Sequence, residues 1–348
     1  MDSVTKQSGY PKEVFFLGAG ASVSGRVPTF ANFRDKANEV LYNMKQEGGN
    51  RDRIPLFQNA LNYWNENFND YNIEEYYSAI EMDEQLNHNN SITTENLKDF
   101  IGLTIDILRK PLNTLSYKYL VKYKVAKAII TTNWDILLER SITELEGTIF
   151  DKNAYINYIA IQSCDEIDPK TLTPIMLSTP IMKLHGSLNW CYCSKCGNIY
   201  YFNQPMYDAL YSFDNVKCRK HKDIRLMPFI VPPTLSKLEK PEPNVKSPYS
   251  QLSSIWSKAS EYLRSCEKIY FIGYSFPETD AQMRIFISNA LKENSNLKEI
   301  IIVSNQKNGY SKVDFEERYN SILSKARSNP KLICNYNGFE EFCKDLAK

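Results

Sequence analysis

Short, largely apolar runs punctuate this chain at wide intervals. Val14-Phe-Phe-Leu17 stops at Gly18. Comparable runs follow over 126–131, 181–184, 269–272 and 300–303, with a weaker one at 332–334. Such runs lack polar alternation, which predicts strands buried on both faces, the pattern of a parallel sheet. Between several of them apolar residues recur at helical spacing, over 251–266, 281–292 and 315–326. The alternation predicts an α/β fold: a Rossmann-like open parallel sheet with helices on both faces.

Two stretches interrupt the pattern. Residues 36–122 are polar and aromatic with no good strand, and read as a helical insertion. Residues 187–224 read as a second insertion, a small zinc-binding module. One domain would then span 1–348, with its core in 10–35, 123–186 and 225–348. The segment 237–250, carrying Pro241, Pro243 and Pro248, reads as a surface loop.

The second insertion holds a metal-type quartet. Cys193 and Cys196 stand in C-x-x-C spacing, and Cys218 and His221 in C-x-x-H spacing, 21 residues further on. Thiolates two residues apart wrap one edge of a tetrahedral ion, and the second pair completes it. Gly197 after the second ligand suits the knuckle turn. Four protein ligands leave no open position, so the expected Zn²⁺ is structural. Cys191 is a spare sulfur that could replace one of the four, and buried or disulfide-bonded cysteines are the alternative.

Composition narrows the function. The 42 basic and 41 acidic residues nearly cancel. With no long basic run there is no electrostatic footprint for direct nucleic-acid binding or an anionic membrane. No apolar run has transmembrane length, and the first residues lack the apolar core of a signal peptide. Scattered cysteines outside the quartet suit reduced thiols and a cytoplasmic location.

Gly18-Ala19-Gly20-Ala-Ser22 follows the first strand. Its glycines permit close backbone approach, and the amides beyond them could cradle a phosphate. The dehydrogenase fingerprint would need glycine where Val23 stands. Alone, the turn predicts no more than an ordinary strand–turn–helix. Its companions add to it: Pro28 and Phe30 in Gly25-Arg-Val-Pro-Thr-Phe, Thr131-Thr132-Asn133-Trp134-Asp135, Lys183-Leu-His185-Gly186-Ser187, and Gly273-Tyr-Ser275-Phe276. In an open α/β sheet, turns at the strand C-termini converge on one crevice.

This order of motifs, from Phe15 to about Phe342, resembles the Sir2 (sirtuin) family. The departures bear on function. Thr132 and Trp134 stand where deacetylating sirtuins carry Gln and Ile, and Ala31 replaces an Arg, with Arg34 three residues on. Where those enzymes pair a strand with the acyl-lysine peptide, this chain reads Met227-Pro-Phe-Ile-Val-Pro-Pro-Thr234. Pro228, Pro232 and Pro233 remove three of the amides such pairing needs. The Gly273-Tyr-Ser-Phe276 turn with Asp280 and the Val231-Pro-Pro-Thr234 segment look like the Sir2-like NADases of bacterial anti-phage defence.

The resemblance implies NAD⁺ as substrate, cleaved between nicotinamide and ribose through an oxocarbenium-like transition state. Asn133 would hydrogen-bond that ribose and order a water, although it could instead cap a helix starting at Trp134. Asp135 would bind the nicotinamide carboxamide or, equally, stabilise the helix's first turn. His185 would be the catalytic base, since an imidazole ordinarily titrates near neutrality, or a structural histidine. Gly18, Ala19, Gly20, Ser22, Pro28, Phe30, Thr132, Gly273 and Ser275 would line the cofactor site. Asn305 would meet the adenosine ribose, with a turn-stabilising role as the alternative for it and for Ser275.

The expected activity is NAD⁺ hydrolysis by a regulated antiviral effector, controlled through a homo-oligomer, a protein partner or both. A protein deacylase or ADP-ribosyltransferase is one alternative. A non-catalytic NAD- or ADP-ribose-binding module is another.

Overall fold

The computed structural model describes residues 12–47, 53–86, 91–108, 115–122, 128–145, 157–163, 179–202, 216–231, 248–277, 280–305 and 312–346. Strand β1 (Glu13–Leu17) buries four of its five residues, as an apolar run without alternation should. It lies inside a six-stranded sheet of order β10-β9-β8-β1-β2-β4. Its neighbours are β2 (Ala128–Thr131) and β8 (Lys268–Ile272), both parallel, in the registers Phe15↔Ile129 and Phe15↔Tyr270. Strands β4 (Ile181–Lys183), β9 (Glu299–Val303) and β10 (Lys331–Asn335) extend the sheet, again parallel. Every apolar run read as a strand is one, and all the strand C-termini leave the sheet on the same side.

Helices α7 (Tyr249–Ser265), α8 (Ala281–Glu293), α9 (Lys312–Leu323) and α10 (Phe339–Leu346) flank this sheet, the first three within a few residues of the expected bounds. Asn294 closes one corner: its buried Nδ2 donates to Leu263 O at 2.7 Å and Cys266 O at 3.0 Å, joining the end of α7 to the end of α8.

Between β1 and β2 come α1 (Phe33–Glu47), α2 (Ile54–Asn67), α3 (Ile73–Gln85), α4 (Thr94–Leu108) and α5 (Leu115–Lys122). Their aromatic residues form the packing: Trp64 stacks on Tyr76 at 4.6 Å and Phe57 meets Phe100 at 5.1 Å. Helix α3 starts at a reciprocal cap, in which Asn72 Oδ1 accepts from Glu74 N and Glu75 N while Glu75 Oε2 accepts from Asn72 N. Helix α6 (Leu137–Leu145) follows β2.

A second sheet has the order β3-β6-β5-β7, from Gln162–Ser163, Ile199–Tyr201, Gly186–Tyr192 and Met227–Ile230 respectively. Strand β7 is spent on one side against β5, with Pro228 opposite Cys191, and forms the sheet's edge. The proline-bearing segment is therefore a strand as far as Ile230; Pro232, Pro233 and residues 237–247 lie outside the described residues, and Tyr249 and Ser250, expected in the 237–250 loop, already belong to α7. No helix among the described residues is long and apolar enough to cross a membrane.

Candidate active site

Turns from distant parts of the chain interlock at the C-terminal end of the large sheet. Gly18 donates to Ile272 O at 2.9 Å and Gly20 to Gly273 O at 2.8 Å, lacing the turn after β1 to the turn after β8. The approach leaves no room for a side chain. A Cβ on Gly273 would stand 2.1 Å from Ala21 N, and its φ of +62° already favours glycine. The chain then enters a short 3₁₀ helix, Ala19–Gly25, and no α-helix starts there. The amides of Gly18, Gly20 and Ala21 are taken by Ile272 O, Gly273 O and Gly18 O. These three amides are thus not a free row awaiting a phosphate; the glycines first serve backbone-to-backbone packing.

Asn133 follows β2 and reaches back into this turn. Its N–H donates to Thr131 Oγ1 at 3.0 Å, and that hydroxyl donates to Leu17 O. Nδ2 donates to Gly18 O at 2.9 Å and to Ser22 Oγ at 3.1 Å. A carbonyl can only accept, so the amide nitrogen must face Gly18 O. Both amide hydrogens are then committed, and Oδ1 is the acceptor the side chain can offer a ligand. Asn133 is 9% exposed, enough for contact but not for bulk solvation. It caps no helix, because α6 starts only at Leu137 and the carboxylate reaching that amide is Asp135 Oδ1, at 3.0 Å.

Ser22 is fully buried, its Oγ also 2.8 Å from Tyr117 OH on α5. Asp135 is buried too, and its Oδ2 has no hydrogen-bond partner among the described residues. Burial raises the Asp135 carboxyl above its usual range, opposed first by the Lys183 ammonium and then by the Leu137 amide. Burial likewise raises the Tyr117 hydroxyl well above its ordinary value, with the Asp135 charge adding to it.

His185 occupies the turn between β4 and β5 and is buried. Since β4 neighbours β2, His185 and Asn133 project from adjoining strand ends. The turn is fixed by its backbone: Leu184 N donates to Thr131 O at 2.9 Å and Val231 N to His185 O at 2.8 Å. Gly186, at φ +75°, leaves no space for a Cβ, which would lie 2.5 Å from Phe229 O. Trp134, the departure noted at the isoleucine position, is anchored by Nε1 donating to Val231 O at 3.2 Å.

The other sequence-derived positions scatter around this centre. Pro28 is buried, and Phe30, Thr132 and Ser275 are half-buried. Asn305 is exposed beyond β9 and bridges to Asn337. Sequence reasoning passed over Tyr117, Glu139, Tyr158, Lys183 and Asn189, which form a buried polar layer behind the turn. Lys183 carried the one usable signal, a charge inside a strand otherwise apolar.

In the small sheet, Cys193, Cys196, Cys218 and His221 bring their ligand atoms within 4.8 Å of one another. Gly197 N donates to Cys193 O at 2.8 Å, closing the first knuckle, and Ile224 N to His221 O at 2.9 Å, closing the second. Cys196 Sγ lies 3.8 Å from Cys218 Sγ, and His221 Nδ1 lies 3.6 Å from Cys193 Sγ. With metal–sulfur bonds of about 2.3 Å, a tetrahedron has edges of about 3.8 Å, so the four atoms fit a tetrahedral ion. Cys191 stands outside the quartet, with Sγ 3.7 Å from Tyr200 O. Burial acts to raise the Cys218 thiol, but the Tyr200 hydroxyl and the His221 and Lys220 amides outweigh it and bring it to about 6. The Cys193 thiol of the same quartet is displaced the other way, pushed up to about 11 by burial.

The family model for the SIR2-like domain matches residues 127–323, more than half of the chain. No curated protein matches. Among solved structures, one concerned with sirtuin substrate affinity aligns at 18% identity and TM-score 0.41, covering 96% of this chain and 92% of that one. A triple mutant of Sir2 homologues in complex with 2′-O-acetyl ADP-ribose aligns at 15% identity and TM-score 0.44, covering 97% and 90%. A structure addressing the mechanism and regulation of Sir2 enzymes aligns at 16% identity and TM-score 0.37, covering 97% and 92%.

Proposed function

Because the chain belongs to the SIR2-like family, whose domain marks an NAD-using enzyme, we propose that it is an NAD⁺ glycohydrolase. It cleaves the nicotinamide–ribose bond and passes the ADP-ribosyl group to water, giving nicotinamide and ADP-ribose. The observation that carries this reading is the committed amide of Asn133. With Nδ2 held by Gly18 O and Ser22 Oγ, Oδ1 is aimed as an acceptor. A preset acceptor interacts best with a ribose hydroxyl or water as positive charge grows on the anomeric carbon, and it needs no reorganisation then. His185, at the neighbouring strand end, takes the proton of the attacking water or the ribose hydroxyl. Asp135, whose buried Oδ2 has no partner among the described residues, receives the nicotinamide carboxamide N–H.

The Cys193, Cys196, Cys218 and His221 quartet holds Zn²⁺ and serves folding. It lies on the small sheet, and no ligand position is left for a reactant. Unrestrained NAD⁺ cleavage would harm the cell that makes the enzyme. We therefore assign the chain to regulated cytoplasmic effectors, of the antiviral kind, held in check through self-assembly or a protein partner. Residues 36–122 act as the helical insertion and 187–224 as the zinc module of one domain.

Single-turnover NAD⁺ cleavage by the purified protein, with and without an acylated peptide, tests the reading. Nicotinamide and ADP-ribose without peptide support it. Release that depends on peptide and yields O-acyl-ADP-ribose would make the chain a deacylase. Tight NAD⁺ binding with no turnover under any condition would make it a binding module.

A further inference from the structure

Behind the Asn133–Asp135 turn runs a chain of buried polar groups. Lys183, 1% exposed, donates through Nζ to the Asp135 carbonyl and to Glu139 Oε1 at 3.0 Å. Glu139 Oε1 also accepts from Tyr158 OH at 2.6 Å. Tyr158 OH lies 3.2 Å from Asn189 Oδ1, and Asn189 Nδ2 donates to Phe202 O at 3.0 Å. Ser187 Oγ donates to Asn189 Oδ1 at 2.7 Å. Two observations argue that this layer does more than fill space. A buried ion pair is a poor source of stability, because desolvation offsets most of its attraction. And Lys183 sits two residues before His185 while its ammonium holds the carbonyl of Asp135, so one side chain joins both candidate catalytic turns.

We propose that Lys183, held by Glu139, which Tyr158 holds in turn, is a positioning residue for NAD⁺ cleavage, fixing the Asn133–Asp135 turn and setting the charge around the Asp135 carboxylate. The proposal rests on the glycohydrolase reading for its chemistry, but its geometry is independent of it. The ionisable groups facing Asp135 are Lys183 of β4, Glu139 of α6 and Tyr117 of α5. Lys183 favours the ionised carboxylate, whereas Glu139 disfavours it. The two partners of one ion pair therefore pull Asp135 in opposite directions, and it is the bond from Lys183 Nζ to the Asp135 carbonyl that ties the pair to the turn itself.

The test compares Lys183→Met, an apolar replacement of similar length, with Glu139→Gln, which keeps an oxygen for Lys183 and Tyr158. Selective ¹³C labelling of aspartate carboxyls, with Asp135→Asn as the assignment control, reads the titration of Asp135 directly in the full chain. Lys183→Met should move that titration to higher pH and Glu139→Gln to lower pH. Lys183→Met should also slow single-turnover NAD⁺ cleavage by about 10- to 100-fold, the usual cost of a small misplacement at a reacting centre, and weaken NAD⁺ binding. Shifts of the same sign, no shift, or wild-type cleavage in Lys183→Met would overturn the proposal. If even the wild type never turns over, the glycohydrolase reading falls. The positioning role is then decided by the opposed titrations together with NAD⁺ affinity by calorimetry. Should Lys183→Met fail to fold, Glu139→Gln decides: a downward shift together with slower NAD⁺ cleavage or weaker NAD⁺ binding supports the proposal, and wild-type cleavage and binding overturn it.

Discussion

Gly20 donates its amide to the carbonyl of Gly273 at 2.8 Å, and neither residue has space for a side chain. Together with the bond from Gly18 N to Ile272 O, that contact places the turn after β1 against the turn after β8. It also explains why both turns need glycine for a reason other than ligand contact.

Gly273→Ala should therefore be severe. The added Cβ meets Ala21 N at 2.1 Å on a residue at φ +62°. A loss of about 3 kcal/mol or more is expected in urea unfolding, with NAD⁺ binding lost beside it. A wild-type midpoint would show that the turns can separate without cost.

Asn133 offers a test of amide orientation. Asn133→Ala should remove turnover by about 10²–10³-fold while leaving a folded protein. Asn133→Asp keeps the acceptor but turns a carboxylate oxygen toward Gly18 O, where a donor stood. It should be the less stable of the two variants. The reverse order in thermal melts would refute the assigned orientation.

The Asp135 carboxyl predicts a pH-dependent effect. Burial raises it, so it binds its proton more tightly in the folded than in the unfolded chain. Ionising it costs stability; the cost is absent below the ordinary carboxylate range and complete above the raised value. Asp135→Asn should melt higher than wild type at mildly alkaline pH, with the gain shrinking as the pH falls. An advantage that stays constant with pH would assign the effect to packing.

The cysteine–histidine quartet predicts about one zinc per chain in metal analysis. Cys218→Ser should reduce metal content and lower the melting temperature more than it lowers cleavage per folded molecule. Well-folded wild type without metal would remove the assignment.

Much of the fold was legible because a strand buried on both faces is apolar at nearly every position, as in Phe15 and Phe16 or Ile300 to Ile302. The small sheet was not, since β3 has two residues and β5 carries Ser187 and Asn189, which no periodicity marks. Asn133, Asp135 and His185 were visible as polar residues at strand ends. The layer behind them was hidden for physical reasons. Lys183 looks like a solvated charge until Glu139, four residues after Asp135 and 44 before Lys183, folds over it. Tyr117 reaches Ser22 from 95 positions away, and no local pattern could place it there. The helix expected at Trp134 begins later because Trp134 and Asp135 are engaged elsewhere, with Val231 and Lys183.

The central place of β1 also has a meaning in time. Its two neighbours are β2 and β8, and Asn133 contacts Gly18 across 115 positions. A chain emerging from the ribosome presents the glycine turn first and Gly273 long afterwards, and such distant pairings form slowly. Until the turn after β8 has been synthesised, Gly20 has no carbonyl of Gly273 to donate to. A growing chain that still lacks β8 thus carries Asn133 and His185 without the turn at Gly273 that packs against the glycines after β1.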